Sequence, residues 1–226
     1  MIEKAKKLVE DLLKNENSGH GMEHINRVID LAVKFAERED CDKNIVILGA
    51  LLHDVDDYKV FGDKNQEELT NTNIILNQLE IDNNMKELVL DIVSKIGYSK
   101  LLNGNRPTTI EGMIVSDADM CDTLGANGLL RIHKYSLKNG KDFFDKNLWP
   151  IENMDASKYT RKCADSSVCH IFEKVLKVKN LMMTTAGKQE AIERHNFIIS
   201  FLRQLFKEEK ACDWEQYLDK YLSDID

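Results

Sequence analysis

The chain has 226 residues and a formal net charge of −8, enough for one large domain or two small ones, and it lacks the long basic run that a nucleic-acid surface needs. No uncharged apolar stretch is long enough to span a bilayer, and no Pro/Ser/Gly-rich linker, low-complexity stretch or repeat divides the sequence. The five cysteines, Cys41, Cys121, Cys163, Cys169 and Cys212, are odd in number and lack C-x-x-C spacing, which argues against a disulfide framework or structural zinc and for a reduced, cytoplasmic setting.

Few prolines and many Lys, Glu, Leu and Ile predict a helical protein, and no segment shows sustained strand alternation. The first helix is expected over Ile2–Lys14, charged and amphipathic rather than a signal peptide. NENSGHG breaks it. A second helix starts near Gly21 and carries Ile25, Val28, Leu31, Ala32 and Phe35 at i, i+3, i+4 spacing, with His24 on the same stripe. The third, near Asp42–Asp54, is apolar almost all round, as a central helix should be. DVDDYKVFGDKNQ reads as turn, and helices follow near Glu67–Leu79 and Asn84–Ile96. GYSKLLNGNRP reads as a loop, then Thr109–Thr123 and Gly125–Leu137 as helices. The irregular stretch from Asn139 to Cys163 precedes two long helices near Asp165–Met183 and Ala186–Lys207. A short C-terminal helix carries Trp214, Tyr217 and Tyr221.

The most informative residues are His53 and Asp54, which end the run ILGALLHDVDD. A histidine and a carboxylate at the mouth of a buried helix are costly unless each has a partner. A divalent metal suits both. His24 upstream, in GHGMEHINRV, and an aspartate of IVSDADMCDTLGA downstream complete an H…HD…D order on predicted helices. Periodicity does not choose between Asp117, which follows the Ile110, Met113, Ile114 stripe, and Asp119, one turn after Val115. Two His and two Asp form a mixed N/O set suited to Mn, Fe, Co, Ni or Zn rather than to Ca or Mg.

These motifs resemble the metal-dependent phosphohydrolases of the HD superfamily, in particular its small stand-alone bacterial hydrolases. GHGMEHINRV is similar to the family's entry helix, ALLHDV to its signature dipeptide, and IEGMIVSDADMCDTLGANGLLR to the element carrying the last ligand. The resemblance covers nearly the whole chain. It implies an all-α HD-domain helical bundle with a central buried metal site, one domain over residues 1–226. The metal-binding core would span about 20–125, with the C-terminal helices from about 163 packing on it.

It further implies one divalent transition metal on His24, His53, Asp54 and Asp119, with Asp117 as a supporting residue. Asp54 would orient the nucleophile and take its proton. Lys100, in the I-G-Y-S-K stretch, and Arg27, one turn after His24, would neutralise the phosphoryl oxygens. His170 and Lys174 are further substrate-binding candidates. Glu173, Lys177, Arg194 and His195 recur in similar form, for phosphate or for inter-helix contacts. Lys59, Tyr98, Ser99 and Arg106 lie on surrounding loops, and Asp56 or Asp57 could serve as a general acid or base.

No histidine lies between His53 and His133, so a metal pair of the kind built from extra histidines lacks its ligands. The expected substrate is a phosphate ester or anhydride of a small molecule, a nucleotide above all, with a homodimer left open. The rival readings are a non-catalytic metal- or nucleotide-binding module and an HD-type metal oxygenase.

Overall fold

A computed structural model describes residues 1–16, 20–151 and 165–225, apart from the side chains of Lys59 and Ile225. The described residues hold no strand. They form α1 (Ile2–Leu12), α2 (Met22–Ala36), α3 (Lys43–Leu52), α4 (Tyr58–Phe61), α5 (Asp63–Glu68), α6 (Thr70–Gln78), α7 (Asn83–Lys95), α8 (Tyr98–Leu102), α9 (Ile110–Asp122) and α10 (Gly125–Lys138). Then come α11 (Ser167–Glu173), a 3₁₀ segment (Val175–Leu181), α12 (Thr185–Glu208) and α13 (Cys212–Ile225). No described helix is long and apolar enough to cross a membrane. Contacts divide the chain into two compact units, Met1–Asp122 with Met182–Gly187, and Thr123–Leu181 with Lys188–Asp226.

In the first unit α3 is central. Asp42 caps it by accepting from the Asn44 amide at 2.8 Å, and Ile45, Val46, Leu48, Gly49, Ala50, Leu51 and Leu52 are all buried. It packs against α1, α2, α7 and α9. Gly49 allows the close approach. A Cβ there would meet Ile92 Cγ2 at 3.1 Å and Val115 Cγ2 at 3.3 Å. The apolar stripe of α2 turns inward as its spacing predicts, with His24 among the buried residues.

Helix α9 buries Asp117, Asp119 and Asp122 together, and each buried carboxylate needs partners. Asp117 finds them in the strap at Met182–Gly187. Its carboxylate accepts from the Met183 amide at 2.9 and 3.1 Å, from the Thr184 amide at 2.7 Å and from Thr184 Oγ1 at 2.7 Å. Gly187 leaves it room, since a Cβ there would stand 2.4 Å from Asp117 Oδ2. Asp117 and Asp119 are two residues apart and so lie on opposite sides of the helix. That separation assigns Asp117 to this clamp.

Four predicted elements differ from those observed. The helix expected over Glu67–Leu79 is split at Leu69, which has φ 48°. Buried Asp56 accepts from the amides of Asn71 and Thr72 at 2.8 and 2.9 Å, which fixes a new helix start at Thr70. The expected turn after Asp54 contains α4 and α5. The expected loop at GYSK contains α8, because Tyr98 and Leu101, one turn apart, are both buried. The helix expected over Asp165–Met183 stops at Glu173. Val175, Leu176 and Val178 are then all buried in the 3₁₀ segment, whose three-residue turn stacks 175 over 178. Of the expected irregular stretch, residues 152–164, Cys163 included, lie outside the described residues, as do 17–19 of NENSGHG.

The second unit is organised around aromatic side chains. Trp149 stacks on Trp214 with centroids 4.4 Å apart, Phe172 and Phe206 lie against Trp214, and Tyr221 donates to the Phe172 carbonyl at 2.7 Å.

Asp117→Ala removes the acceptor of three donors, the buried Thr184 amide and hydroxyl and the part-buried Met183 amide. It should cost about 3 kcal/mol, roughly 6–12 °C in Tm for a chain of this length. A urea melt identical to wild type would contradict the clamp.

Candidate metal centre

Three elements of the first unit, α2, the end of α3 and α9, pack pairwise and bring four side chains to one point. His24 Nε2 lies 3.1 Å from His53 Nε2. Asp54 Oδ2 is 3.4 Å from His24 Nε2 and 3.6 Å from His53 Nε2. Asp119 Oδ1 is 3.5 and 3.7 Å from the same two nitrogens. The His24 and His53 side chains are 2% and 0% exposed, those of Asp54 and Asp119 13% and 12%, so the carboxylates form the open edge.

The hydrogen bonds behind the rings decide which nitrogen faces the centre. His53 caps α3, and its Nδ1 lies 2.7 Å from the Ala50 carbonyl oxygen. A carbonyl only accepts, so Nδ1 carries a proton and Nε2 is the ring atom turned to the centre. His24 Nδ1 donates in the same way to Asp122 Oδ2 at 2.7 Å. Burial works against the charge on Asp54, but His53, His20 and His24 outweigh it and hold its carboxyl well below the usual range. Asp119 is lowered too, against the same burial, by His24 and His53. Two imidazole Nε2 atoms and two carboxylates thus converge on one point, a donor set that a divalent cation fits. Ligands about 2.0–2.2 Å from one ion stand about 3.0–3.5 Å from one another, close to the spacing seen here. Among the described residues, His24, His53 and Asp119 meet the geometry of a metal-ligand group.

Two residues at this centre escaped the sequence reading. His20 Nδ1 donates to Asp54 Oδ2 at 2.8 Å. The spacing G-H-G-M-E-H, four residues before His24, was its signal. His20, Asp54 and Asp57 form a second convergent group that shares Asp54. Its histidine precedes His24 and so lies outside the interval from His53 to His133. Asp122, three residues after Asp119 and so on the same helix face, is the other.

Arg27 donates from Nε to Asp122 Oδ1 at 2.8 Å and from Nη2 to Oδ2 at 3.0 Å. Lys100 sits on α8 with Nζ 3.3 Å from the Val93 carbonyl oxygen. Burial pushes its ammonium down, while Asp57, Asp54 and Asp56 pull it back. Asp56 is committed to α6, as above. Arg106 is exposed. His170, Glu173, Lys174, Lys177, Arg194 and His195 belong to the second unit. There Glu173 accepts from the Ile151 amide at 2.8 Å, and Arg194 Nε donates to Glu190 at 2.7 Å. The Lys59 side chain lies outside the described set.

The chain belongs to the HD superfamily: the HD domain family matches residues 21–124, the stretch that contains all four converging side chains. Among its relatives is the Bacillus subtilis protein YpgQ, 30% identical over 210 residues, which cover 92% of this chain and 93% of that one. A solved Lactobacillus plantarum protein superposes with a TM-score of 0.80 at 29% identity, over 93% of this chain and 97% of that one. An HD-superfamily hydrolase from Bacillus thuringiensis gives 0.70 at 32% identity, with the same coverage. The structure of YpgQ in complex with ADP gives 0.68 at 27% identity, over 92% and 97%.

If the converging donors require a cation, Mn²⁺ or Co²⁺ should stabilise the chain by about 2.7 kcal/mol at a hundredfold excess over Kd, a Tm rise of roughly 5–11 °C. His53→Ala should abolish that rise. An equal rise in both proteins, in a thermal melt, would place the binding elsewhere.

Proposed function

We propose that the chain is a metal-dependent phosphohydrolase that acts on a small phosphorylated molecule, and that the molecule is a nucleotide. The observation that carries the reading is the convergence of two imidazole Nε2 atoms with Asp54 and Asp119 at the edge of a buried cluster. The ADP held by YpgQ, related over nearly the whole of both chains, supports the nucleotide.

His24, His53, Asp54 and Asp119 would hold one divalent transition metal, Mn, Fe, Co, Ni or Zn. When bound, such an ion polarises a phosphoryl oxygen and lowers the pKa of water. The chain's own residues supply the rest. Asp54 stands at the open edge, is held ionised, and is oriented by His20. It aligns the attacking water and accepts its proton. Lys100, half-buried near Asp54 and Asp57, offsets negative charge on the phosphoryl oxygens. The protein would work in the cytoplasm, without long nucleic acid and without a membrane.

A panel of nucleoside mono-, di- and triphosphates, sugar phosphates and p-nitrophenyl phosphate, assayed with Mn, Co, Ni, Mg and Zn, tests this. Phosphate and pyrophosphate should be read separately. Turnover of a nucleotide is expected with a transition metal. Asp54→Asn should lower it by at least about 10²-fold. Lys100→Met should lower it by roughly 10- to 150-fold, the loss of one charge-assisted hydrogen bond, with metal content unchanged. Nucleotides that raise Tm yet are never hydrolysed would make the chain a binding module instead.

A further inference from the structure

Asp122 is the last residue of α9 and has no exposed surface. A carboxylate so buried persists only when paired and hydrogen-bonded. Two of its partners come from a single face of α2. His24 donates through Nδ1 at 2.7 Å, and Arg27, three residues on, donates through Nε and Nη2 at 2.8 and 3.0 Å. The two-point fork of a guanidinium fixes the plane of a carboxylate, which a lysine ammonium would not do. The Asp122 partnership raises the Arg27 pKa further, so the fork stays charged.

We propose that Arg27 and Asp122 are positioning residues for the metal centre. Arg27 locks the plane and rotamer of Asp122. Asp122 in turn fixes the orientation of the His24 ring and keeps the proton on Nδ1, so that Nε2 is the atom offered to the ion. The inference rests on the metal-centre reading above, and it moves Arg27 from the phosphate, where the sequence placed it, to the support of a ligand. Aspartate suits the place because the His24 and Arg27 groups set against it are all donors. An amide of the same shape has one acceptor atom, so its NH₂ must face either His24 Nδ1 or the guanidinium. Facing His24, it would move the ring proton to Nε2 and block the ligand.

The test titrates Co²⁺ alone into metal-free wild type, Asp122→Asn, Arg27→Met, Arg27→Lys and the double variant Asp122→Asn/Arg27→Met. Binding is followed by calorimetry and by the visible absorption of the bound ion. Asp122→Asn and Arg27→Met should each weaken Co²⁺ binding by about 10- to 100-fold and alter the spectrum. The double variant should be no worse than Asp122→Asn alone, because Arg27 acts through Asp122. Arg27→Lys keeps the charge without the fork, and it should recover only part of the loss; it also serves if Arg27→Met fails to fold. At saturating Co²⁺ the nucleotide KM of the Arg27 variants should stay within about threefold of wild type while kcat falls. Wild-type Co²⁺ affinity and spectrum in both single variants would overturn the inference. So would normal Co²⁺ affinity with a raised KM in Arg27→Met, which returns Arg27 to the phosphate. Wild type that binds no Co²⁺ would instead overturn the metal-centre reading itself, and this inference with it.

Discussion

The Nε2 atoms of His24 and His53 face each other across 3.1 Å, with the carboxylates of Asp54 and Asp119 beside them. So many polar atoms crowded into a mostly buried setting, where charge interactions are strong, call for positive charge among them. The helices do not avoid that crowding. The carbonyl at the end of α3 and the carboxylate at the end of α9 commit both rings to it from behind, by taking the Nδ1 protons. Most of what is unusual in the first unit follows from preparing a place for positive charge and keeping other polar groups out of it.

The buried aspartates show the division of labour. Asp56 receives the first amides of α6, and Asp117 receives the strap at Met183 and Thr184. Asp122 receives His24 and Arg27, which leaves Asp54 and Asp119 to face the centre. All five carboxylates lie on or beside α3 and α9, yet their tasks differ because successive residues on a helix point about 100° apart. The clamps serve the site indirectly. A buried carboxylate satisfied by backbone amides gives the helix that bears it one register and one rotation, and the ligands two or three residues away inherit both.

Much of this was legible in the sequence. The α2 stripe, the all-round apolar α3 and the H…HD…D order each rest on local periodicity, and the family match covers the segment that bears them. The choice of Asp119 over Asp117 was not legible from periodicity. Both faces of α9 are buried, so apolar spacing carries no direction there. Asp122 and His20 were missed for a related reason. Their partners lie 98 and 34 residues away in the chain, and a search for metal ligands looks for residues that touch the ion, not for those that hold the ligands. The splits at Leu69 and Lys174 come from tertiary hydrogen bonds and burial, which override helix propensity without leaving a local mark.

The central claim is that the four converging side chains hold one metal ion. Anomalous diffraction from a crystal grown with Mn²⁺ tests it most directly. A single strong peak is expected about 2.0–2.3 Å from Nε2 of His24, Nε2 of His53 and one oxygen each of Asp54 and Asp119. Two adjacent peaks, the second among His20, Asp54 and Asp57, would contradict the one-metal account. A well-ordered cluster with no peak would contradict the metal centre altogether.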